Sequence, residues 1–449
     1  MASSNPRIYF VVLLLLGGTV VQRVEGAERR DRTKTRERSV EEVLQVYETL
    51  LSKNRPPVRA ILKDYGHLES KKNLSLESRY RIHQLLVAKL KALKGSKGAS
   101  LRSAVKRTLA KGSKVHFASR VLLMKVIVDG KFRAKRAERV KWLLRQVQQE
   151  DSTIASWGLK LLGDTRCPEA VEALIQIMEE EEDEGRTVGY LWHGASTELH
   201  RLLGARKAMG TSAAVRYSWE QMGRIVPETP DYSLLGSPEK SGKTVVFFGD
   251  KISPRSVFVI DTSTSMRRKV TLRWSFSSLT TTDGSLKPKG VKVEVVKREL
   301  QRALSSLEPE FEFNVLAYNS TVHPWQGKDG LNLYPADSGN LETAQEFART
   351  LPTNPGTNTH DALRMALSIE RVETVYLLSD GSPSVGGGQQ KIEDSIAVWN
   401  YLLGARIVTY GFASEEGRIF DEGFMRRLAE SNRGWYRRLN ELPKSDTKG

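Results

Sequence analysis

The sequence predicts a multidomain protein in which an all-α domain precedes a doubly wound α/β domain. Its 449 residues are too many for one ordinary hydrophobic core. From residue 39 to about residue 204, apolar side chains recur at helical spacing, whereas short apolar runs alternate with amphipathic segments after Lys243. Strands that alternate with helices indicate a mostly parallel sheet that is covered by helices on both faces.

The first 26 residues have the pattern of an export signal. Arg7 precedes an apolar run over residues 8–16, and a cleavage site follows at Gly26. We therefore expect residues 1–26 to be a signal peptide and the protein to be exported, whether secreted, periplasmic or at the cell surface. The apolar run is short for a membrane span, so an uncleaved anchor is the less favoured alternative. Residues 27–38 are charged, nearly free of apolar side chains and predicted to be disordered.

The chain is strongly basic, with a formal net charge of +17. Removal of the signal segment would take away two arginines and one glutamate and leave +16. The excess is concentrated in the first half, for example over Lys89–Lys114. In an exported protein this charge favours an anionic envelope polymer or an acidic surface as partner, and nucleic acid is not expected. The alternative is a solvated surface that keeps the protein in solution.

The helical region is predicted to span residues 39–225. One helix ends at Leu161–Asp164, and Pro168 restarts another that continues through Ala170–Leu174. This phrase resembles HEAT-like repeats, in which paired helices stack into a solenoid. A plain helical bundle is the alternative. Residues 226–252 are rich in Pro, Gly, Ser and charge and are predicted to be a linker with a lead-in strand, before an α/β domain over 253–440 and a tail over 441–449.

The α/β domain is predicted from alternating strand and helix patterns. The strands are expected at Ser256–Ile260, Phe311–Tyr318, Thr374–Leu378 and Ile407–Phe412. The helices are expected at Val291–Leu307, Asn340–Leu351, Asp361–Ile369, Ile392–Leu403 and Phe420–Ala429. Ligands of such sheets bind beyond the carboxyl ends of the strands.

Five oxygen-bearing side chains lie at strand ends or helix starts in this domain: Asp261, Ser263, Ser265, Thr357 and Asp380. The first three close one apolar run, Asp380 closes another, and Thr357 precedes a helical pattern. Carboxylates and hydroxyls are hard ligands that suit Mg²⁺ or Mn²⁺ and not zinc. Because Mg²⁺ takes six oxygens, the set leaves a coordination position open for a ligand from a partner.

Residues 253–440 resemble a von Willebrand factor type A (vWA) domain, which has a Rossmann-like doubly wound fold. The resemblance rests on Asp-Thr-Ser-Thr-Ser over 261–265, Gly-Thr-Asn over 356–358 and Leu-Leu-Ser-Asp-Gly over 377–381, in the expected order. It implies a metal-ion-dependent adhesion site in which Ser263, Ser265 and Thr357 supply hydroxyl ligands. Asp261 and Asp380 would act mostly through water. The whole chain also resembles exported bacterial proteins that join helices to such a domain.

The sequence departs from the family pattern at two places. Thr264 stands where the family often has Gly, and a β-branched residue tolerates a positive φ poorly, so the loop geometry is expected to differ. The segment Lys269–Lys289 is expected to be an insertion beside the site, either a mobile loop or a specificity loop. A domain that keeps the fold and has lost the ion is the alternative to a working metal site.

Other residue types predict no second site. Cys167 is the only cysteine, which excludes a disulfide framework and a cysteine-rich zinc site, and it is expected to be a small buried residue. The seven histidines show no spacing typical of metal ligands.

These observations favour an exported, non-enzymatic interaction or adhesion protein. A partner would offer a carboxylate to Mg²⁺ or Mn²⁺ at the metal site, and the basic helices would attract an acidic surface. One alternative is a Mg²⁺-dependent hydrolase or phosphoryl-transfer enzyme, although only Arg267 and Arg268 stand nearby as basic groups. Another is a protein that binds polyanions through its basic helical region.

Overall fold

A computed structural model describes residues 39–71, 74–110, 115–128, 135–149, 151–187, 189–204, 210–230, 245–271, 289–327, 330–412 and 422–440. The predicted signal peptide, the charged segment after it and the tail lie outside these residues. The chain divides into two compact units, residues 1–154 and residues 155–449.

The first unit is entirely α-helical in its described part. Its helices are α1 (Val40–Ser52), α2 (Val58–Lys71), α3 (Leu76–Lys91), α4 (Gly95–Thr108), α5 (Phe117–Val128) and α6 (Arg136–Val147). Helix α1 begins with a capping box, in which the Ser39 hydroxyl accepts from the Glu42 amide and the Glu42 carboxylate accepts from the Ser39 amide. Helix α5 is buried from Ala118 to Met124 because α2, α3 and α6 pack around it. Helix α3 also contacts α1, and α4 contacts α2, so alternate helices pack together. The HEAT-like assignment stays a prediction.

The second unit begins inside a further helical segment. Its helices are α7 (Ser152–Asp164), α8 (Pro168–Asp183), α9 (Tyr190–Leu203) and α10 (Ser212–Gln221). Cys167 is buried at the N-cap of α8 and is a free thiol, as expected. Near the C-terminal end of α8, Glu179 pairs with Arg216 of α10 at 2.6 Å.

The sheet follows these helices. After a hairpin of β1 (Val246–Phe247) and β2 (Asp250–Lys251), its strands are β3 (Arg255–Asp261), β6 (Glu312–Tyr318), β7 (Val322–Pro324), β8 (Tyr334–Pro335), β9 (Thr374–Ser379), β10 (Arg406–Gly411) and β11 (Tyr436–Arg438). A separate ribbon pairs β4 (Lys269–Thr271) with β5 (Lys289–Val291). The order in the sheet is β11-β10-β9-β3-β6-β7, with β8 also paired to β6. All neighbours from β11 to β6 are parallel, which confirms the predicted mostly parallel sheet.

Helices cover both faces of this sheet. The intervening helices are α11 (Lys292–Ser305), α12 (Ser338–Thr350), α13 (Thr359–Ala366), α14 (Gln389–Asn400) and α15 (Glu422–Ser431). Helices α11 and α12 pack on the face that carries Phe258 and Ile260, and α13, α14 and α15 pack on the face that carries Val257 and Val259. Alternate residues of β3 thus enter two separate cores, which explains why the strand is almost continuously apolar.

The short strands β7 and β8 were not predicted. Each pairs antiparallel with β6 and has two or three residues, which is too short for an alternating pattern. Pro324 ends β7 at the edge of the sheet, where a missing backbone donor is tolerated.

The second unit begins well before the predicted linker at 226–252. Helices α7 and α9 are tied to the sheet by hydrogen bonds and buried ion pairs. The Trp157 indole donates to the Leu402 carbonyl at 2.7 Å, and Glu198 of α9 pairs with the buried Arg406 of β10. Gly404 has a φ of +64°, and a Cβ there would lie 2.5 Å from the Trp157 ring. The sequence division into a helical region and an α/β domain stays a prediction.

Candidate metal centre

The two acidic residues meet because their strands are neighbours. Strand β3 ends at Asp261, and β9 ends at Ser379 immediately before Asp380. The two strands run parallel, with Ile260 opposite Leu378. Both carboxylates therefore lie at the same carboxyl edge of the sheet, which is where parallel α/β sheets bind ligands.

Hydrogen bonds join four of the five predicted residues. The Ser265 hydroxyl donates to Asp380 Oδ1 at 2.5 Å, and the Ser263 and Ser265 hydroxyls are 2.9 Å apart. The Ser263 amide donates to Asp261 Oδ1 at 2.7 Å. If the Ser265 proton points to Asp380, the Ser263 proton points to Ser265, and the lone pairs of Ser263 are left for a cation.

Thr357 lies on the adjoining loop and is 6 % exposed. Its amide donates to the Ser384 hydroxyl at 2.9 Å, and its carbonyl accepts from the Ser384 amide. The loop reaches β3 through the Asn354 amide, which donates to the Thr262 carbonyl at 3.0 Å. Within the described residues, no hydrogen bond joins the Thr357 hydroxyl to the other four side chains. The described hydrogen bonds thus connect the Thr357 loop to the end of β3 but do not join the Thr357 side chain to the other four.

Burial shapes the charge of Asp261. This side chain is fully buried, and its Oδ2 accepts from the Ser379 hydroxyl at 2.6 Å. Burial, followed by the neighbouring charge of Asp380, raises the pKa of Asp261 to about 6, although hydrogen bonds from Ser379 and Ser263 oppose the shift. A buried carboxylate beside a second one is a position where a bound cation relieves both desolvation and repulsion.

A basic residue that the sequence analysis did not single out enters the site. Lys292, the first residue of α11, extends its ammonium to Asp380 Oδ2 at 2.8 Å, and both side chains are buried. The backbone amide of Lys292 donates to the Arg268 carbonyl, close to the Asp261–Ser265 turn. No local pattern marks this lysine, since it resembles any charged residue at the start of an amphipathic helix.

The departures from the family pattern leave the turn unstrained. Thr264 begins a 3-10 turn over Thr264–Arg267 and does not have a positive φ, so no glycine is needed there. Arg267 donates to the hydroxyl and carbonyl of Thr353. The ends of the predicted insertion form the β4–β5 ribbon, and its middle, 272–288, lies outside the described residues.

The carboxylates and hydroxyls of the candidate site fit a hard divalent cation that is bound through hydroxyl oxygens and water. Among the described residues, no group of three or more His, Cys, Asp or Glu side chains could hold a metal. Two carboxylates with serine hydroxyls match the oxygen ligands of Mg²⁺. Burial, followed by the charge of Asp261, raises the pKa of the buried Tyr318 hydroxyl well above its usual range.

A family model described as the von Willebrand factor type A domain matches residues 77–179 and 279–438, which together make up more than half of the chain. The chain belongs to the von Willebrand factor type A domain family. The matched residues include Thr357 and Asp380 and leave out the turn that holds Asp261, Ser263 and Ser265.

Curated relatives share part of this chain. Inter-alpha-trypsin inhibitor heavy chain H4 of Homo sapiens is 28% identical over 165 residues, covering 34% of this chain and 17% of the relative. Heavy chain H1 of Mesocricetus auratus is 26% identical over 211 residues, covering 43% of this chain and 20% of the relative. The matches therefore span about a fifth of these relatives' own length.

Among the solved structures that match, one example shows how weak the structural similarity is. A von Willebrand factor type A protein from Catenulispora acidiphila has a TM-score of 0.32 and 18% identity, covering 41% of this chain and 38% of that one, a likeness too slight to bear on the present site. In the described part of this vWA chain, no helix is long and apolar enough to cross a membrane.

Proposed function

We propose that this vWA protein is an exported, non-enzymatic interaction protein that binds a carboxylate of a protein partner through a divalent metal. The observation that supports this function is the cluster of Asp261, Ser263, Ser265 and Asp380 at the carboxyl edge of the sheet. Export is proposed from the charged and apolar pattern of residues 1–26.

The roles of the residues follow from their hydrogen bonds. Ser263, Ser265 and Thr357 would hold Mg²⁺ or Mn²⁺ through hydroxyl oxygens, and Asp261 and Asp380 would act through water. Asp261 already accepts from a backbone amide and from Ser379, so it orients the turn more than it offers free lone pairs. A divalent cation, when bound, supplies an electrophile that accepts the partner's carboxylate.

The enzymatic alternative has less support. Phosphoryl transfer requires a cationic clamp that is free to meet the phosphate. Arg267 donates to Thr353 and Lys292 is bound to Asp380, which leaves the exposed Arg268 as the nearby basic group without a side-chain hydrogen bond to another described residue. A generic phosphate ester assayed with and without Mg²⁺ separates the two functions, and turnover that requires Mg²⁺ would favour the enzyme.

The metal site is tested by removing one carboxylate and one hydroxyl together. We expect the full chain to bind Mg²⁺ and Mn²⁺ in calorimetry and the Asp261→Ala, Ser263→Ala variant to bind at least about tenfold more weakly, because two of the oxygens that form the site are lost. The matched control is Asp394→Ala, Ser338→Ala, which changes exposed residues of the same types. Wild-type protein that takes up no metal at up to about 1 mM contradicts the proposal.

A second candidate function is supported by a groove in the first unit. Between α2 and α4 lies a groove of about 1540 Å³ whose described lining contains no acidic residue. Arg59, Lys63 and Arg107 line it, and none of them forms an ion pair with another described residue. Unpaired cations around a concave surface attract an anionic polymer, so we propose polyanion binding here as the alternative to the metal site.

Charge reversal tests this alternative. We expect Arg59→Glu, Lys63→Glu, Arg107→Glu to weaken binding to heparin, a sulfated probe, by at least about tenfold, since each contact changes from attraction to repulsion. The control reverses three exposed basic residues outside the groove: Lys106, Lys141 and Arg145. Equal losses of heparin affinity in both variants would mean that net charge alone acts, and the groove would have no special role.

A further inference from the structure

Lys292 is the only cationic side chain that the described structure brings into hydrogen-bond contact with the candidate metal residues. Its ammonium lies 2.8 Å from Asp380 Oδ2 and 5.8 Å from the centre of the Phe412 ring. The Lys292 side chain is 7% exposed and that of Asp380 is fully buried, so water screens this pair weakly. The Lys292–Asp380 ion pair is therefore a buried part of the site and not a surface contact.

Lys292 also changes what Asp380 can offer. Oδ1 of Asp380 accepts from the Ser265 hydroxyl, and Oδ2 accepts from Lys292. Both oxygens are therefore engaged by the protein before any cation arrives. A carboxylate that is already bound to an ammonium attracts a metal ion less strongly and is less free to become its direct ligand.

The formal charges of the site follow from these three side chains. Asp261, Asp380 and Lys292 together carry one negative charge when all are ionised, so a divalent cation leaves the site with one positive charge. Without the lysine, the same site would be neutral after the ion binds. A net positive site attracts an anionic ligand, whereas a neutral one has little reason to prefer it.

We propose that Lys292 acts as a built-in cation that weakens metal affinity and, in return, raises the affinity of the metal-loaded site for a carboxylate. This inference rests on the proposed metal-dependent function and adds a determinant of ligand charge to it. In this proposal Lys292 is a specificity-determining residue, because its charge favours anionic ligands while its ammonium is held by Asp380.

The test compares Lys292→Met with wild-type protein. Mg²⁺ and Mn²⁺ affinities of the full chain are measured by calorimetry, and the variant should bind both ions at least about tenfold more tightly, because the repulsion from the ammonium is gone. Acetate is then titrated into Mn²⁺-loaded protein while the relaxation of water protons is followed. Acetate that displaces bound water lowers the relaxation rate, and Lys292→Met should need about tenfold more acetate for the same effect.

Two further variants separate charge from folding. Lys292→Arg keeps the charge and should retain wild-type metal affinity, and Lys292→Gln removes the charge while it keeps a donor for Asp380. The matched control is Lys297→Met on the same helix, where the lysine pairs with Glu294 outside the site. Lys292→Gln serves in place of Lys292→Met if the apolar variant does not fold.

The possible outcomes distinguish a failure of this inference from a failure of the proposed function. Unchanged or weaker metal binding in Lys292→Met and Lys292→Gln overturns the role of the lysine, even if wild-type protein binds metal. If Lys292→Met and Lys292→Gln bind metal and wild-type protein does not, the role of the lysine is supported and the proposed function of the natural chain is contradicted. Absence of metal binding in every variant overturns both.

Discussion

Asp250→Ala should lower the free energy of unfolding of the second unit by about 4 kcal/mol or more. Asp250 lies in the β1–β2 hairpin and is almost completely buried. It accepts from the Tyr410 hydroxyl at 2.9 Å, from the Trp435 indole at 3.0 Å and from Arg437 Nε at 3.0 Å. Alanine would remove the carboxylate that pairs with the buried Arg437 guanidinium and accepts from Tyr410 and Trp435, although the Tyr410 hydroxyl can still donate to the Phe247 carbonyl. The loss of a buried counter-charge is the costliest of these changes.

Denaturant unfolding at neutral pH measures this effect. Asp250→Asn keeps an acceptor and loses the charge, so it should fall between wild type and Asp250→Ala. Glu370→Ala changes an exposed carboxylate in the same unit and should leave the stability within about 0.5 kcal/mol. If Asp250→Ala unfolds at the same denaturant concentration as Glu370→Ala, the hairpin carboxylate does not hold the sheet.

This hairpin illustrates what the sequence could and could not predict. The apolar run around Val246 indicates a strand, so the sequence predicts a lead-in strand at the end of the linker. The function of Asp250 depends on Tyr410 and Arg437, which lie far along the chain, and no local pattern pairs residues at that separation. Strand positions follow from period and composition, whereas buried ion pairs depend on the completed topology.

The same distinction applies to the candidate metal site. Asp261 and Asp380 could be predicted because strand ends in a parallel sheet share one edge. Lys292 could not be predicted as part of the site, because the segment before it has no periodic pattern of apolar residues. The lysine itself begins an ordinary amphipathic helix. Glu198 and Arg406 were missed for a related reason, since a charged residue in an apolar segment shows its partner only after folding.

Acid should destabilise the second unit because the folded unit keeps two buried histidines neutral. Burial, and then the charge of Lys251, lowers the pKa of His193 to about 3, and its ring packs edge-on against Phe311 at 5.5 Å between ring centres. Burial lowers the pKa of His200 to about 4; Asp250 opposes this shift, while nearby cations, Arg437 first, add to it. His200 also packs against the Trp435 ring at 4.5 Å.

The direction of the effect follows from proton binding. Unfolded histidine has a pKa near 6.5, so below that pH the unfolded chain binds protons that the folded chain refuses. The stabilising contribution is complete above pH 6.5 and decreases as the pH falls towards 4 for His200 and 3 for His193. The shift of His200 alone corresponds to roughly 3 kcal/mol.

Thermal unfolding between pH 7 and pH 4 measures this loss, and a histidine that no longer titrates should reduce it. His193→Phe keeps an aromatic ring against Phe311 and removes the titrating group, so its melting temperature should fall less on acidification than that of wild-type protein. His323→Phe removes an exposed histidine of the same unit and is the matched control. Carboxylates that lose their charge in acid act equally in all three proteins, so the difference between His193→Phe and His323→Phe isolates the buried imidazole. Parallel curves for these two variants would show that His193 accepts its proton as readily in the folded protein as in water, and the low pKa of His193 would then be wrong.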